Sequence, residues 1–307
     1  KLDETQLFYV LLKIKALKEA SPAGDAALNL CLVIDRSTSM KGPRLQHLKM
    51  AVHSIIDECD KDDLLSVVTF SDSAEVLISA QHPVEPREMK ALVSTIRADG
   101  ATAIYSGLKA GMAQIERKRH PRYVNHIILI TDGRTYGDEA DCVRLAARAH
   151  ERGIGISAMG IGDDWNDRFL DTLASRTGGS STYISTPEGV GGFLRQRVRS
   201  LATSYAERVQ LLVAPGPYAH LEAVSRISPN PMMLDAGTQP VPLGSVESAS
   251  ASRLMLEFHL TTQDAALGEL YVGRIDVRGE ILGVGQRSAQ VALDVTAKLE
   301  AEPAREE

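Results

Sequence analysis

The sequence predicts an α/β protein in which a doubly wound, mostly parallel six-stranded sheet carries helices on both faces and is joined to an all-β sandwich domain. Over about residues 28–204, nearly continuous apolar runs alternate with amphipathic segments, which is the pattern of parallel strands buried between helices. After residue 204 the apolar residues recur at every second position, as in strands with one solvated face. The length of 307 residues suits two domains of this kind.

The predicted strands of the α/β region are short and apolar. Their ranges are 28–35, 64–70, 74–78, 126–132, 155–162 and 181–185. The strand at 74–78 follows its predecessor too closely for a crossover connection, so it is predicted to be an antiparallel edge strand. Between the strands, apolar residues recur every three or four positions and predict helices. Their ranges are 43–59, 86–97, 103–117, 139–152, 166–177 and 188–204.

Strands with one solvated face are predicted on both sides of the α/β region. The segment 7–17 alternates apolar residues with polar ones. Its apolar face holds Phe8, Val10, Leu12 and Ile14, and its polar face holds Lys13 and Lys15. A parallel strand buried on both faces would not carry two lysines so close together. Further strands are predicted at 209–213, 254–260, 270–277 and 291–295, with loop and short strand over most of 215–252.

We therefore expect the segment 7–17 to pair with the later strands, so that the α/β domain is inserted into the sandwich. The predicted domains are 24–204 for the α/β unit, 1–23 together with 205–298 for the sandwich, and 299–307 for a charged tail. An insertion of this kind requires the two ends of the inserted domain to lie near each other.

Composition and charge exclude several classes of function. The net charge of −6 and the aromatic content of 5% argue against a nucleic-acid-binding surface. No stretch approaches about 18 consecutive apolar residues, so no membrane span is predicted. The cysteines Cys31, Cys59 and Cys142 are odd in number and widely spaced, which predicts neither a disulfide framework nor a zinc site. A reducing, cytoplasmic location is the expectation, and a secreted protein that has lost a signal peptide is the alternative.

Hard oxygen ligands follow the first buried strand. Asp35, Ser37 and Ser39 alternate in the segment Asp-Arg-Ser-Thr-Ser at the predicted carboxyl end of strand 28–35. Open α/β sheets bind their ligands at that edge. One carboxylate and two hydroxyls suit a small hard cation such as Mg²⁺ or Mn²⁺, and they do not suit zinc or copper. Taken alone, the motif is explained equally well as a helix N-cap.

Two further motifs are predicted to lie at the same edge. Thr102 belongs to the segment Asp-Gly-Ala-Thr before a predicted helix, and Asp132 lies at the end of strand 126–132 in the segment Thr-Asp-Gly. Each motif alone would be explained as a helix cap or a turn. Because together they add a hydroxyl and a second carboxylate to the first motif, the combination favours a metal site over three unrelated caps.

These three motifs resemble those of the von Willebrand factor A (vWA) domain with its metal-ion-dependent adhesion site. The D-x-S-x-S segment 35–39, Thr102 in Gly-Ala-Thr and Asp132 in Thr-Asp-Gly match that site residue by residue. Ala101 stands where Gly is commoner, which leaves metal ligation intact but tightens the loop. The layout is similar to that of prokaryotic and intracellular vWA proteins, some of which carry a β-sandwich built from segments on both sides of the vWA domain.

The resemblance implies a function and a set of ligands. The metal ligands would be Asp35, Ser37, Ser39, Thr102 and Asp132. Thr102 would ligate directly in one state, and Asp132 would ligate directly or through water. The implied metal is Mg²⁺, with Mn²⁺ or Ca²⁺ as alternatives, and one coordination position would stay open for an Asp or Glu side chain of a protein partner. The expected function is metal-dependent protein–protein interaction.

Two other functions stay open at this point. A Mg²⁺-dependent phosphatase could use Asp35 as its nucleophile, but such enzymes usually need a second catalytic acid and a phosphate-binding lysine, for which Lys41 is the only nearby candidate. A scaffold whose metal only stiffens the loops is the third hypothesis. Because the sequence contains no Gly-x-Ser-x-Gly motif, Ser37 and Ser39 are poor nucleophiles, and we predict no catalytic residue.

Overall fold

The protein consists of an α/β domain built on one six-stranded sheet and a sandwich of two four-stranded antiparallel sheets. A computed structural model describes residues 5–16, 26–132, 137–162, 167–248, 250–261, 268–282 and 287–299. The fold class predicted from the sequence is confirmed.

The strands follow the predicted order along the chain. They are β1 (Gln6–Lys15), β2 (Leu28–Asp35), β3 (Leu64–Phe70), β4 (Ala74–Gln81), β5 (Val124–Thr131), β6 (Gly155–Ile161), β7 (Ser181–Ile184), β8 (Ser204–Pro215), β9 (Ala219–Ser228), β10 (Met232–Leu234), β11 (Val241–Glu247), β12 (Ala251–Leu260), β13 (Gly268–Ile281) and β14 (Arg287–Leu299). The α/β sheet has the order β4-β3-β2-β5-β6-β7. All its pairs are parallel except β3–β4, so β4 is the antiparallel edge strand that the short connection predicted.

Helices cover both faces of this sheet. They are α1 (Pro43–Glu58), α2 (Pro86–Ser94), α3 (Ile104–Lys118), α4 (Glu139–Glu151), α5 (Asp167–Ser175) and α6 (Val190–Ala202). On one face α1, α2 and α6 pack their apolar residues against the strands, and on the other face α3, α4 and α5 do so. Every residue of β2 and β5 is buried, because these central strands have helices above and below them. Within the described ranges, none of the helices combines the length and apolar character needed to cross a membrane.

The sandwich takes its first strand from the region before the α/β domain. Its two sheets have the orders β1-β12-β9-β10 and β11-β8-β13-β14. β1 pairs antiparallel with β12 along its whole length, from Gln6 opposite Leu260 to Lys15 opposite Ala251. The predicted pairing of this strand with the later β strands is therefore confirmed. The range 215–252 was expected to be mostly loop and short strand; it contains the short strands β10 and β11 and also the ten-residue strand β9, which the expectation missed.

The junction between the two domains is closely packed. The backbone N–H of Ala26 donates to the carbonyl of Ala202 at 2.7 Å, so the chain enters and leaves the α/β domain at adjacent points. Gly178 of the α/β domain and Gly244 of β11 have φ angles of +72° and +79°, and their backbones are in direct contact. A side chain at either position would collide with the other backbone, so glycine permits this approach.

A buried arginine crosses the same junction. Arg226 projects from β9 and donates to the carbonyl oxygens of Gly179 at 3.0 Å, Gly178 at 3.3 Å and Leu243 at 3.2 Å. Burial, and then the nearby charge of Arg197, lower the pKa of Arg226 to about 10. Because three carbonyl groups accept its hydrogen bonds, this arginine stays charged and ties the sandwich to the turn before β7.

The three cysteines are free thiols, as their number and spacing predicted. Cys31 lies in β2, and burial raises the pKa of its thiol to about 12. A thiol protonated in this way behaves as a small apolar core residue.

Candidate metal centre

Asp35 is the last residue of β2 and is fully buried at the carboxyl edge of the α/β sheet. Its Oδ1 accepts a hydrogen bond from the backbone N–H of Ser37 at 2.7 Å. Its Oδ2 accepts one from the hydroxyl of Thr131 at 2.6 Å. Both carboxylate oxygens are therefore oriented by neighbours that each donate one hydrogen bond, which leaves further lone pairs on each oxygen.

Two serine hydroxyls link Asp35's loop to the end of β5. The Oγ atoms of Ser37 and Ser39 lie 3.0 Å apart. Ser39 Oγ donates to Asp132 Oδ1 at 2.7 Å. Ser37 and Asp132 are each about 2% exposed, whereas Ser39 is exposed. The structure thus brings together four of the five side chains that the sequence predicts as ligands, with one member of the set facing solvent.

Thr102 lies in the loop before α3, and backbone hydrogen bonds hold this loop against the first one. Thr38 N donates to Gly100 O at 3.1 Å, and Asp99 N donates to Arg36 O at 2.8 Å. Gly100 has a φ of +77°, which glycine adopts without strain. Thr102 itself is half-buried. The predicted fifth ligand is therefore carried by a loop docked on the loop of Ser37 and Ser39.

Two residues of this site were missed by the sequence reasoning. The first is Thr131, whose hydroxyl orients Asp35; a threonine that ends an otherwise apolar strand directly before Asp132 was an available signal. The second is Arg44 in the first turn of α1, whose Nη1 donates to Asp132 Oδ2 at 2.6 Å. No local pattern marks Arg44, since its partner is far away in sequence.

The carboxyl of Asp35 has an altered pKa. Burial raises it to about 6, while the hydrogen bonds from Thr131 and Ser37 lower it and the charge of Asp132 raises it further. An isolated buried carboxylate is costly because it has lost its water. A cation beside it would supply the missing counter-charge.

The chemistry of the donors fits a hard divalent cation. Carboxylate and hydroxyl oxygens are the ligands that Mg²⁺, Mn²⁺ and Ca²⁺ prefer. Among the residues that the structure describes, no group of three His, Cys, Asp or Glu side chains forms a metal cluster. This agrees with a site that depends on serine and threonine hydroxyls beside only two carboxylates. The oxygen atoms of Ser37, Ser39 and Asp132 already lie within 2.7–3.0 Å of their neighbours in this set, and the backbone N–H of Ser37 holds Asp35 beside them.

Comparison with known proteins gives relatives for most of the chain. The protein sll0103 of Synechocystis sp. is 32% identical over 268 residues, which cover 84% of this chain and 63% of that protein. Inter-alpha-trypsin inhibitor heavy chain H3 of Mesocricetus auratus is 27% identical over 212 residues, which cover 62% of this chain and 24% of that protein. The chain therefore spans less than two thirds of the length of either relative.

Solved structures share the fold. A von Willebrand factor type A protein from Catenulispora acidiphila superposes with a TM-score of 0.74 and 18% identity, over 96% of this chain and 74% of its own. Proximal thread matrix protein 1 of the mussel byssus, solved with zinc in its MIDAS motif, superposes with a TM-score of 0.50 and 21% identity, over 62% of this chain and 47% of its own. At these identities the likeness concerns the fold alone.

The sequence also matches the profile of the von Willebrand factor type A domain over residues 29–193. That range contains the α/β sheet from its first parallel strand, both loops of the candidate metal centre and the beginning of α6. The chain belongs to the von Willebrand factor type A family.

Proposed function

We propose that this protein is a divalent-cation-dependent interaction module that binds an acidic side chain of a protein partner. vWA domains are often metal-dependent protein-interaction modules. The observation that carries the proposal is the hydrogen-bonded cluster of Asp35, Ser37, Ser39 and Asp132 at the carboxyl edge of the sheet. The proposed ligands are these four residues with Thr102, and the proposed metal is Mg²⁺.

The charges around the site favour an anionic partner group. Asp35 and Asp132 supply two negative charges, and Arg44 bound to Asp132 supplies one positive charge. A divalent cation added to this set leaves a net positive charge of about one. A carboxylate from a partner would neutralise that charge, and a neutral ligand would not. Hydroxyl ligands keep the metal electrophilic because they do not reduce its charge as carboxylates would.

The choice of Mg²⁺ over other divalent ions is part of the proposal. The mussel byssus protein binds zinc at its MIDAS motif, which supports the binding of a divalent cation by this type of site. The donor set here contains oxygen atoms only, and these favour Mg²⁺ or Mn²⁺ over zinc, which prefers nitrogen and sulfur.

The first experiment measures metal binding by isothermal titration calorimetry. We expect one Mg²⁺ or Mn²⁺ site in the wild type and none in Asp35→Asn, because the neutral amide keeps the shape of the carboxyl but removes the charge that attracts the cation. Asp62→Ala is the matched control, since Asp62 is an exposed aspartate at the opposite end of the sheet, and it should bind as the wild type does. Unchanged metal binding by Asp35→Asn would place the site elsewhere.

The second experiment captures partners from the native lysate in Mg²⁺ and in EDTA. A protein retained in Mg²⁺ and lost both in EDTA and on the Ser39→Ala variant supports the proposal. Ser39 is exposed, so this substitution removes a ligand without opening a core cavity. Retention that is equal in Mg²⁺ and EDTA would contradict a metal-mediated contact.

The same metal site could instead serve an enzyme or a scaffold. A phosphatase should hydrolyse p-nitrophenyl phosphate in Mg²⁺ and lose that activity in Asp35→Asn; we propose that the protein is not an enzyme and expect no turnover. A purely structural metal should raise thermal stability without changing partner retention. These outcomes separate the three hypotheses.

We also propose domain boundaries and a cellular location for the protein. We place the vWA domain at 24–204, the sandwich at 1–23 with 205–298 and a charged tail at 299–307. The free thiols favour a reducing, cytoplasmic location. Limited proteolysis followed by mass spectrometry tests the boundaries, because linkers between domains are cut before the domains themselves.

A further inference from the structure

A cleft between the α/β domain and the sandwich contains an arginine with unused hydrogen-bonding capacity. The cleft has a volume of about 460 Å³ and is lined by residues of α6, β6 and β7 and by the sandwich. Arg197 of α6 lines it, as do Ser157 and Phe193. Clefts of roughly 300–1,000 Å³ are the size that binds small organic molecules.

One of the three guanidinium nitrogens of Arg197 donates a hydrogen bond, and the other two, Nη1 and Nη2, are available to a ligand. Its Nε donates to the Ser157 hydroxyl at 3.0 Å. That hydroxyl is hydrogen-bonded in turn to His126 Nε2 at 2.9 Å and accepts from Ser180 N at 3.2 Å. Within the described residues, the two Nη atoms of Arg197 donate no hydrogen bond, and no carboxylate oxygen lies within 4.0 Å of its guanidinium. The Nη1–Nη2 edge is the one that binds a carboxylate or a phosphate through two parallel hydrogen bonds.

Charged groups around Arg197 do not neutralise it directly. The carboxylate of Glu247 lines the cleft, but its two oxygens accept hydrogen bonds from the hydroxyls of Ser200 and Ser250. Glu207 lines a small adjoining cavity together with Arg197, and burial raises its pKa to about 7. Burial lowers the pKa of Arg197, while the charges of Glu207 and then Glu247 raise it without touching the guanidinium. Arg197 is half-buried, and a bound anion would supply the direct counter-ion that its guanidinium lacks.

The other walls of the cleft suit an apolar group. Phe193 on α6 is 42% exposed, which is high for an aromatic side chain beside a cleft. Ile128 and Met159 line the cleft as well, and both belong to the buried core beneath α6. The cleft therefore offers a cationic hydrogen-bonding edge and an apolar surface to the same molecule, as small-molecule sites do.

We propose that this cleft binds a small organic anion, whose carboxylate or phosphate group lies on the Nη edge of Arg197 and whose apolar part lies against Phe193. The site is separate from the metal centre, because Ser157 and Ser180 lie near the amino ends of β6 and β7, whereas Asp35 lies at a carboxyl end.

The test titrates the full chain with benzoate, with phenyl phosphate and with the neutral isostere benzamide. The protein is first treated with EDTA and then dialysed against metal-free buffer, so that neither a metal nor the anionic chelator is present. We expect at least one of the two anions to bind with a dissociation constant below about 1 mM. Benzamide should bind about tenfold more weakly or not at all, since it cannot form the charged pair. The tighter of the two anions identifies the preferred group. Binding of neither anion, or equal binding of benzamide, would overturn the proposal.

Variants locate the binding in the cleft. Arg197→Met should weaken anion binding about tenfold or more, and Arg197→Lys should weaken it about fivefold because a lysine lacks the two-nitrogen edge. Arg195→Met is the matched control, since Arg195 is exposed on the same helix and does not line the cleft. Phe193→Ala should weaken benzoate and leave the affinity for acetate unchanged. If Arg197→Met loses the circular dichroism spectrum of the native protein, the test rests on the anion affinities of Arg197→Lys and Phe193→Ala. Wild-type anion affinity in both of these variants would refute the site.

Discussion

The contact between Gly178 and Gly244 gives a sharp test of how the two domains are joined. A methyl carbon added at Gly244 would lie 2.8 Å from the carbonyl carbon of Gly178 and nearer still to its oxygen. Ordinary van der Waals contact begins at 3.4 Å, and the obstacle is backbone, which cannot rotate away. Gly244→Ala therefore either strains the backbone of both segments or separates the domains at this point.

The expected magnitude follows from a comparison with Gly137. Gly137 has nearly the same φ, +82° against +79°, but an added methyl group would have nothing within 4 Å. Both alanine variants lose about 1 kcal/mol of unfolding free energy from the left-handed backbone. Gly244→Ala should lose about 2 kcal/mol more, because overpacking against a fixed neighbour costs about 1–3 kcal/mol. The difference between the losses of unfolding free energy in the two variants therefore measures the cost of the contact between Gly178 and Gly244.

The assay is equilibrium unfolding in urea, followed by far-UV circular dichroism and by tryptophan fluorescence. Wild type and Gly137→Ala should unfold with the same shape of transition. Gly244→Ala should show either a lower midpoint or two separate transitions, as a weakened domain contact reduces cooperativity. Equal losses in the two variants, within about 0.5 kcal/mol and with coincident transitions, would refute the close packing inferred for this junction.

Three further predictions concern charged side chains. Arg226→Met should lower the unfolding free energy by about 3 kcal/mol in urea titrations, since three carbonyl groups lose a charged donor; a change below about 1 kcal/mol would contradict this role. In the folded protein, burial raises the pKa of Glu207 from 4.5 to about 7. As the pH rises from 4.5 to 7, this carboxyl ionises in the unfolded chain but stays protonated in the folded one, so the unfolding free energy falls by at most about 3 kcal/mol. Glu207→Gln should abolish that loss, and identical stability–pH curves for the two proteins would show that another group is responsible. Arg44→Met frees Asp132 from its cation, so Mg²⁺ should bind about fivefold more tightly in calorimetry while an acidic partner binds more weakly; weaker Mg²⁺ binding would show that Arg44 positions a ligand.

The α/β domain was predictable because its burial leaves a clear pattern. Strands such as β2 and β5 are covered on both faces, so nearly all of their residues are apolar and the runs stand out. The site followed from the same logic, since Asp35 and Asp132 come directly after such runs. Ser37, Ser39 and Thr102 were added as hydroxyl ligands in the loops at that edge, and the resemblance to a known family then joined all five residues in one ligand set.

The sandwich was harder to predict because its apolar pattern is interrupted. β9 has only Val224 and Arg226 buried among its ten residues. Arg226 occupies an inward position where alternation predicts an apolar residue, because its guanidinium reaches carbonyl groups of the other domain. The role of Arg44 was not predicted for a related reason. It depends on the contact with Asp132, and only the folded chain brings the two residues together. Contacts between segments that are distant in sequence produce no periodic pattern of apolar residues from which they could be predicted.

The way the α/β domain is inserted bears on what could reach the proposed metal site. The chain enters the domain near Ala26 and leaves it near Ala202, where their backbones share a hydrogen bond, and β2 runs from that end to Asp35. Its eight residues span about 23 Å at 3.3 Å per residue step. The sandwich packs at the amino ends of the parallel strands, through Gly178 and Gly244, so it lies away from the carboxyl edge. The proposed protein partner would therefore reach Ser39 without displacing the sandwich, and the proposed anion-binding cleft at Arg197 lies on the other side, where the two domains meet.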